Sequence, residues 1–404
     1  MKYDFTTMLD RSGKDSIAFD IPDDKNFIDV KPTKEGFDRI PMWVADMNFM
    51  TVPTIVEKMT ERVSCPIYGY FRPTKEYFDK IIKWHSVRNG MMEIEPECIG
   101  YENSVLGGLM SALGVLCSAG EKVLVHSPTY VGFTGSLRNA GYEIVHSALV
   151  LDEENVWRMD FDNMEEILRT QNIHTAIFCN PHNPCGRAWE KWELEKVMEL
   201  YKKYDVSVVS DEIWSDIILE GSKHIPLQSI SEDAKNRTVA LYAPSKTFNL
   251  AGLIGSYHII YNKALRDRIR KYASLGHYNS LNVLSMHALL GAYEPEGYEW
   301  VDELCAVITK NINYAYDFFT KQVSGVTVSK PQATYMLFID CTKWLEEHNK
   351  TFDELMDAGY EYGIIWQDGR NFHGANCLRI NFALPFEKVK EAIDRLDKYV
   401  FNGE

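Results

Sequence analysis

The chain has 404 residues, 45% hydrophobic and 25% charged, so it carries enough apolar side chains for a large core and is not a disordered polymer. Its 58 acidic residues outnumber 43 basic ones, a formal net charge of −15 that repels a phosphate backbone and makes nucleic acid a poor partner. No stretch reaches the roughly 18 continuous apolar residues of a membrane span, and the start MKYDFTTMLDRSGKDS lacks the apolar core of a secretory signal.

Eight cysteines are scattered along the chain (Cys65, Cys98, Cys117, Cys179, Cys185, Cys305, Cys341 and Cys377) without CxxC pairs or metal-ligand spacings. Reduced, mostly buried thiols in a cytoplasmic protein are the expectation, with neither membrane nor metal.

In chain order, the apolar stretch Val105–Cys117 comes first, too short for a membrane span. Lys122–His126 and Glu143–His146 then read as strands, followed by His174–Cys179, Val206–Ser210, Thr238–Ala243 and Gly255–Tyr261. Leu194, Val197, Met198, Tyr201 and Tyr204 recur at helical spacing between two of these runs. Glu296–Val323 predicts a long helix, Ala333–Asp340 and Leu378–Ala383 two further strands, and Val389–Val400 a closing amphipathic helix. Strands alternating with helices predict an α/β fold with a largely parallel sheet, followed by a smaller α+β unit.

Open α/β sheets bind ligands beyond the carboxyl ends of their strands. There the sequence places Ser127-Pro128-Thr129-Tyr130, Asn180-Pro181-His182-Asn183-Pro184-Cys185-Gly186-Arg187, Asp211-Glu212 and Pro244-Ser245-Lys246-Thr247 after successive strands. An amine, a carboxylate, an amide and an aromatic ring suit pyridoxal 5'-phosphate (PLP). That cofactor needs a lysine for its Schiff base, an acid at the pyridine nitrogen and a flat side chain on the ring. Its phosphate needs donors, often at a helix start. Each residue alone has an ordinary alternative: a surface lysine, a helix cap, a turn, a core ring. Their joint order after successive strands is what points to PLP.

These runs, with Trp43-Val44-Ala45-Asp46-Met47, Ser210-Asp211-Glu212-Ile213, Ser245-Lys246-Thr247-Phe248-Asn249-Leu250-Ala251-Gly252-Leu253, Ala333-Thr334-Tyr335 and Leu378-Arg379-Ile380-Asn381-Phe382-Ala383, resemble fold-type I PLP enzymes of the aspartate aminotransferase superfamily. Within that superfamily the chain resembles the cystathionine β-lyase (C–S lyase) branch, from about Trp43 to Pro385.

The resemblance implies a large domain with a mostly parallel seven-stranded sheet over residues 51–290. A smaller α+β domain would come from 291–404 together with an N-terminal segment, 1–50. It implies that Lys246 carries PLP and abstracts the substrate Cα proton. Asp211 pairs with the pyridinium, Asn183 with the ring hydroxyl, and Tyr130 stacks on the ring. Val105, Leu106 and Ser245 supply phosphate donors, Trp214 lies against the cofactor, and Tyr68 or Tyr70 reaches the phosphate of a neighbouring subunit in a homodimer. Arg379 binds the carboxylate of a small amino-acid substrate.

Trp214 stands where transaminases commonly have Tyr, Ala243 where a hydroxyl is common, and Ile254-Gly255-Ser256 lacks a phosphate-binding Arg. These departures favour the lyase branch. Asn48 and His373 replace an expected Asp and Gly. The expected reaction is α,β-elimination from a cystathionine- or cysteine-type amino acid. The alternatives are an aminotransferase and a PLP-binding regulator acting through protein contacts.

Overall fold

The computed structural model describes residues 1–20, 30–275 and 280–403. Its strands are, in chain order, β1 (Ile40–Pro41), β2 (Ile99–Glu102), β3 (Lys122–Ser127), β4 (Glu143–Leu151), β5 (Trp157–Met159), β6 (Thr175–Cys179) and β7 (Ser207–Asp211). They continue with β8 (Thr238–Tyr242), β9 (Ser256–Ile259), β10 (Thr327–Val328), β11 (Met336–Asp340), β12 (Ile364–Ile365), β13 (Gln367–Asp368) and β14 (Cys377–Asn381).

The large sheet has the order β2-β9-β8-β7-β6-β3-β4-β5. β4, β3, β6, β7 and β8 run parallel, and β9 is antiparallel to both of its neighbours. β6 and β8 are buried at every residue, as strands covered on both faces must be. Each fully buried Val or Ile there contributes about 1.5–3 kcal/mol. The sheet has eight strands where seven were expected. The extra one, β5, is a three-residue antiparallel edge on β4. Asp152 Oδ1 shapes the turn before it by accepting the Glu154 and Val156 N–H groups, each at 2.9 Å. Three residues are too few to show a strand period.

From β3 the chain steps to β4 on one side and then returns to β6 on the other, which makes a topological switch point between β3 and β6. The carboxyl ends of β3, β6, β7 and β8 open there.

The helix Val105–Leu116 carries its start to this edge. Ser104 caps it, accepting the Gly107 N–H at 2.9 Å. Gly108 permits the close approach, because a Cβ there would lie 2.7 Å from Leu241 Cδ2 and 2.9 Å from Glu102 Cγ. The small sheet, β10-β11-β14-β13, is antiparallel throughout. β1 pairs in parallel with β12, so the early chain is bound to residues more than 300 positions later. The helix Pro295–Lys321 packs on β10 and β11, and the helix Phe386–Leu396 packs against it. All eight cysteines are free, five of them buried and Cys65 exposed. No helix among the described residues is long and apolar enough to cross a membrane.

Candidate active site

The strand ends enclose a cavity lined by Ala45, Asn103, Ser104, Val105, Leu106, Tyr130, Asn183, Asp211, Trp214, Ala243, Ser245, Lys246 and Ser256, among others. Eight residues expected from the sequence therefore meet in one place: Val105, Leu106, Tyr130, Asn183, Asp211, Trp214, Ser245 and Lys246.

Strand alternation sorts two adjacent carboxyls at the end of β7. Asp211 faces the cavity, where the Ile213 N–H reaches its Oδ1 at 3.0 Å. Glu212 points away into a fully buried polar network. It accepts from Ser210 Oγ at 3.0 Å, Tyr242 OH at 2.9 Å and the Leu227 N–H at 3.0 Å, and His224 Nε2 lies 2.9 Å away. That network anchors the strand end. Burial pushes the Asp211 carboxyl up to about 7.

Lys246 lies in the short helix Pro244–Thr247 directly after β8. Its Nζ donates to the Ala45 carbonyl at 3.0 Å and sits 5.9 Å from the centre of a Trp214 ring. Burial first, and the Arg379 charge second, bring its amine down to about 8. Trp214 is itself fixed edge-on against Tyr335, with ring centres 4.8 Å apart.

Arg379, on β14, reaches the cavity wall from the small sheet. It donates to Asn183 Oδ1 at 3.2 Å, to the Trp43 carbonyl at 3.0 Å and to Gln367 Oε1. Its guanidinium is buried, and burial brings it down to about 10. Among the described residues no carboxylate pairs with it, and its Nε has no partner. An unpaired buried cation is costly, so the position fits a ligand carboxylate.

At the other end of the cavity, the Val105 and Leu106 N–H groups belong to the first helical turn and have no intrahelical acceptor. Ser245 lines the same cavity, and unpaired N–H groups at a helix start suit an anion. Tyr68 and Tyr70 do not join this cavity. They are 56% and 111% exposed and line a separate hollow with Phe71 and Tyr101.

The two departures at positions 48 and 373 have structural partners. Asn48 Oδ1 accepts from Arg11 Nη2 at 2.9 Å. His373 adopts φ +66°, a left-handed conformation that favours glycine, and its ring packs on His146 with centres 4.2 Å apart. Sequence reasoning missed Gln367, Arg11 and the acceptor carbonyls of Trp43 and Ala45. The Trp43–Met47 run was visible as a motif, but nothing local marks a carbonyl as the partner of a lysine 201 residues away.

A chain that folds this way and gathers these groups is a PLP-dependent enzyme of the aminotransferase fold. Cystalysin from Treponema denticola, whose crystal structure contains the cofactor, superposes with a TM-score of 0.89 at 30% identity, covering 98% of each chain. The PLP-bound C–S lyase from Staphylococcus hominis gives 0.87 at 28% identity over 98% of this chain and 97% of that one. The chain belongs to the class I and II aminotransferase family, whose model matches residues 40–396. Among curated proteins it is 32% identical to the cystathionine beta-lyase PatB of Bacillus subtilis (strain 168), over 89% of this chain and 92% of that protein.

Proposed function

We propose that this chain is a carbon–sulfur lyase that removes a thiol from an amino acid carrying sulfur on Cβ, leaving pyruvate and ammonia. The observation that carries the reading is the buried Arg379 guanidinium, without a carboxylate partner among the described residues, bonded to the cavity-lining Asn183 and close enough to the buried Lys246 amine for its charge to act on it. One group fits the substrate α-carboxylate and the other the proton on its Cα. The similarity to PatB and the C–S lyases supports sulfur as the leaving group.

The residues fit the cofactor. Asp211 is a buried carboxyl to which only a backbone N–H donates among the described contacts, so a protonated pyridine nitrogen would return it to its charged form. Asn183 would hold the ring hydroxyl, and Tyr130 and Trp214 would flank the ring. Val105, Leu106 and Ser245 would hold the phosphate. When bound, PLP supplies an electron sink for the carbanion at Cα.

The chain's own groups do the rest. Arg379 binds and orients the substrate carboxylate. Lys246 Nζ, neutral in a good fraction at pH 8, takes the Cα proton. The Cβ–S bond then breaks with its electron pair going to sulfur, which takes a proton from the Lys246 ammonium and leaves as the thiol. Water completes the release of pyruvate and ammonia.

The division into residues 1–50, 51–290 and 291–404 is part of this proposal, supported by the separate large and small sheets. So is a cytoplasmic homodimer. Eight free cysteines support the compartment, and the exposed Tyr68 and Tyr70 support the dimer.

The test is purified enzyme with cystathionine and no 2-oxo acid. Catalytic release of pyruvate and free thiol is expected. Strict dependence on an oxo-acid acceptor would replace this reading with an aminotransferase.

A further inference from the structure

The Trp43–Met47 loop holds the site together through its backbone. Trp43 O receives Arg379 Nη2 at 3.0 Å and Ala45 O receives Lys246 Nζ at 3.0 Å. Asn381 Nδ2 donates to both Val44 O and Asp46 O at 2.8 Å. One short stretch therefore sets the position of both the amine and the guanidinium.

The Asp46 side chain fastens that stretch from two directions. Asn249, three residues after Lys246, donates to Asp46 Oδ1 at 2.7 Å and to Met47 O at 3.0 Å. From the N-terminal stretch, Arg11 Nη1 lies 3.0 Å from both Asp46 oxygens, while its Nη2 holds Asn48. The Phe19 ring lies beneath the guanidinium, 5.0 Å from its centre. Arg11 and Asp46 are 25% and 21% exposed, so their attraction is screened less than that of a free surface pair.

Three charged groups act on Lys246. Asp46 and Asp211 face it with negative charge, and Arg379 with positive charge. Tyr335 adjoins Asp46 and Arg379, while Glu212, Cys179 and Tyr130 adjoin Asp211. Arg11 is the cation that pairs with Asp46 in this set.

We propose that Arg11 is a positioning residue for Lys246: it holds Asp46, and through it the Ala45 carbonyl that receives the free amine, and it offsets the Asp46 charge facing that amine. The proposal rests on the reading of the cavity as the cofactor site. Without Arg11, Asp46 stands as an uncompensated anion and favours the protonated nitrogen on Lys246.

The test titrates the visible absorbance of the bound cofactor against pH in the holoenzyme. Arg11→Ala should raise the midpoint by roughly half to one pH unit. Arg11→Lys, which keeps the charge, should stay near wild type. Asp46→Asn should lower the midpoint, and the Arg11→Ala/Asp46→Asn double variant should follow Asp46→Asn. Thermal melts identify any variant that has lost its fold, in which case the remaining variants carry the comparison.

An Arg11→Ala midpoint that overlays wild type, or a double variant that behaves like Arg11→Ala, overturns the inference while the cofactor reading stands. A wild-type protein that takes up PLP without a visible band overturns both.

Discussion

Asp211 shows how one position can be costly for folding and suited to chemistry. Folding buries its carboxyl and raises it from the ordinary value near 4 to about 7. Between those values the folded state binds more protons than the unfolded one. Its contribution therefore turns against the fold as pH rises through this window, and it is fully unfavourable above about 7. Asparagine cannot ionise, yet its Oδ1 can still accept the Ile213 N–H. The cofactor-free Asp211→Asn protein should thus be more stable than wild type at pH 8, by on the order of a few kcal/mol, with the gap closing near pH 4. Thermal melting across pH measures this, and equal stability at pH 8 would refute the burial argument. Under the proposed function the same substitution should lower turnover in the holoenzyme, because it removes the anion that would face the ring nitrogen. Lys246, Asp211, Asn183 and Tyr130 were legible because each lies within a few residues after a readable strand. Arg11 was not, because a single arginine in a polar stretch has no pattern.

At the scale of elements, the central parallel strands were legible from apolar runs and the helices Lys191–Lys203, Pro295–Lys321 and Phe386–Leu396 from their spacing, whereas β2 and the helices Pro53–Val63 and Lys75–Asn89 were not read. The short pieces depended on contacts instead. The two-residue β1 exists only through its pairing with β12, and β5 only through β4. Helix contacts are similarly specific. The helix Val283–Ala292 crosses the helix Pro53–Val63 at Gly291, whose carbonyl accepts Thr54 Oγ1 at 2.8 Å. A Cβ on Gly291 would lie 2.4 Å from the Thr54 carbonyl oxygen and 2.7 Å from Ile55 Cα, both backbone atoms that cannot rotate away. Gly291→Ala should therefore cost about 1–3 kcal/mol through overpacking. Gly135→Ala, in the helix Val131–Asn139, is the control: its Cβ meets nothing within 4 Å, so a neutral or slightly stabilising effect is expected. Chemical denaturation of the pair measures the contrast, and equal midpoints would show that the crossing can relax.

On the scale of the whole molecule, the exposed Tyr68 and Tyr70 lie beside Ile67, which is 73% exposed, and Phe71. A cluster of this kind fits an interface. If a site takes Lys246 from one subunit and Tyr68 or Tyr70 from the other, two defective proteins should complement each other. Lys246→Ala mixed with a Tyr68→Phe/Tyr70→Phe variant, under conditions that exchange subunits, should form hybrid dimers with one intact site. Activity above that of either parent is the expected result, and no recovery despite demonstrated exchange would rule out the shared site.

The sequence by itself determined the main parallel strands, their order and the chemistry available at the strand ends, because periodicity and turn residues act over a few positions. It also carried the resemblance that named the cofactor. Only the tertiary structure decided that Asp211 faces the cavity while Glu212 is locked behind it, and that Arg379 meets Asn183 across 196 positions. It alone made the Trp43–Met47 backbone the common acceptor for the site's two cations. Those outcomes depend on which buried donors find acceptors once the sheets pack. Packing couples residues far apart in the chain, and no local pattern records that coupling.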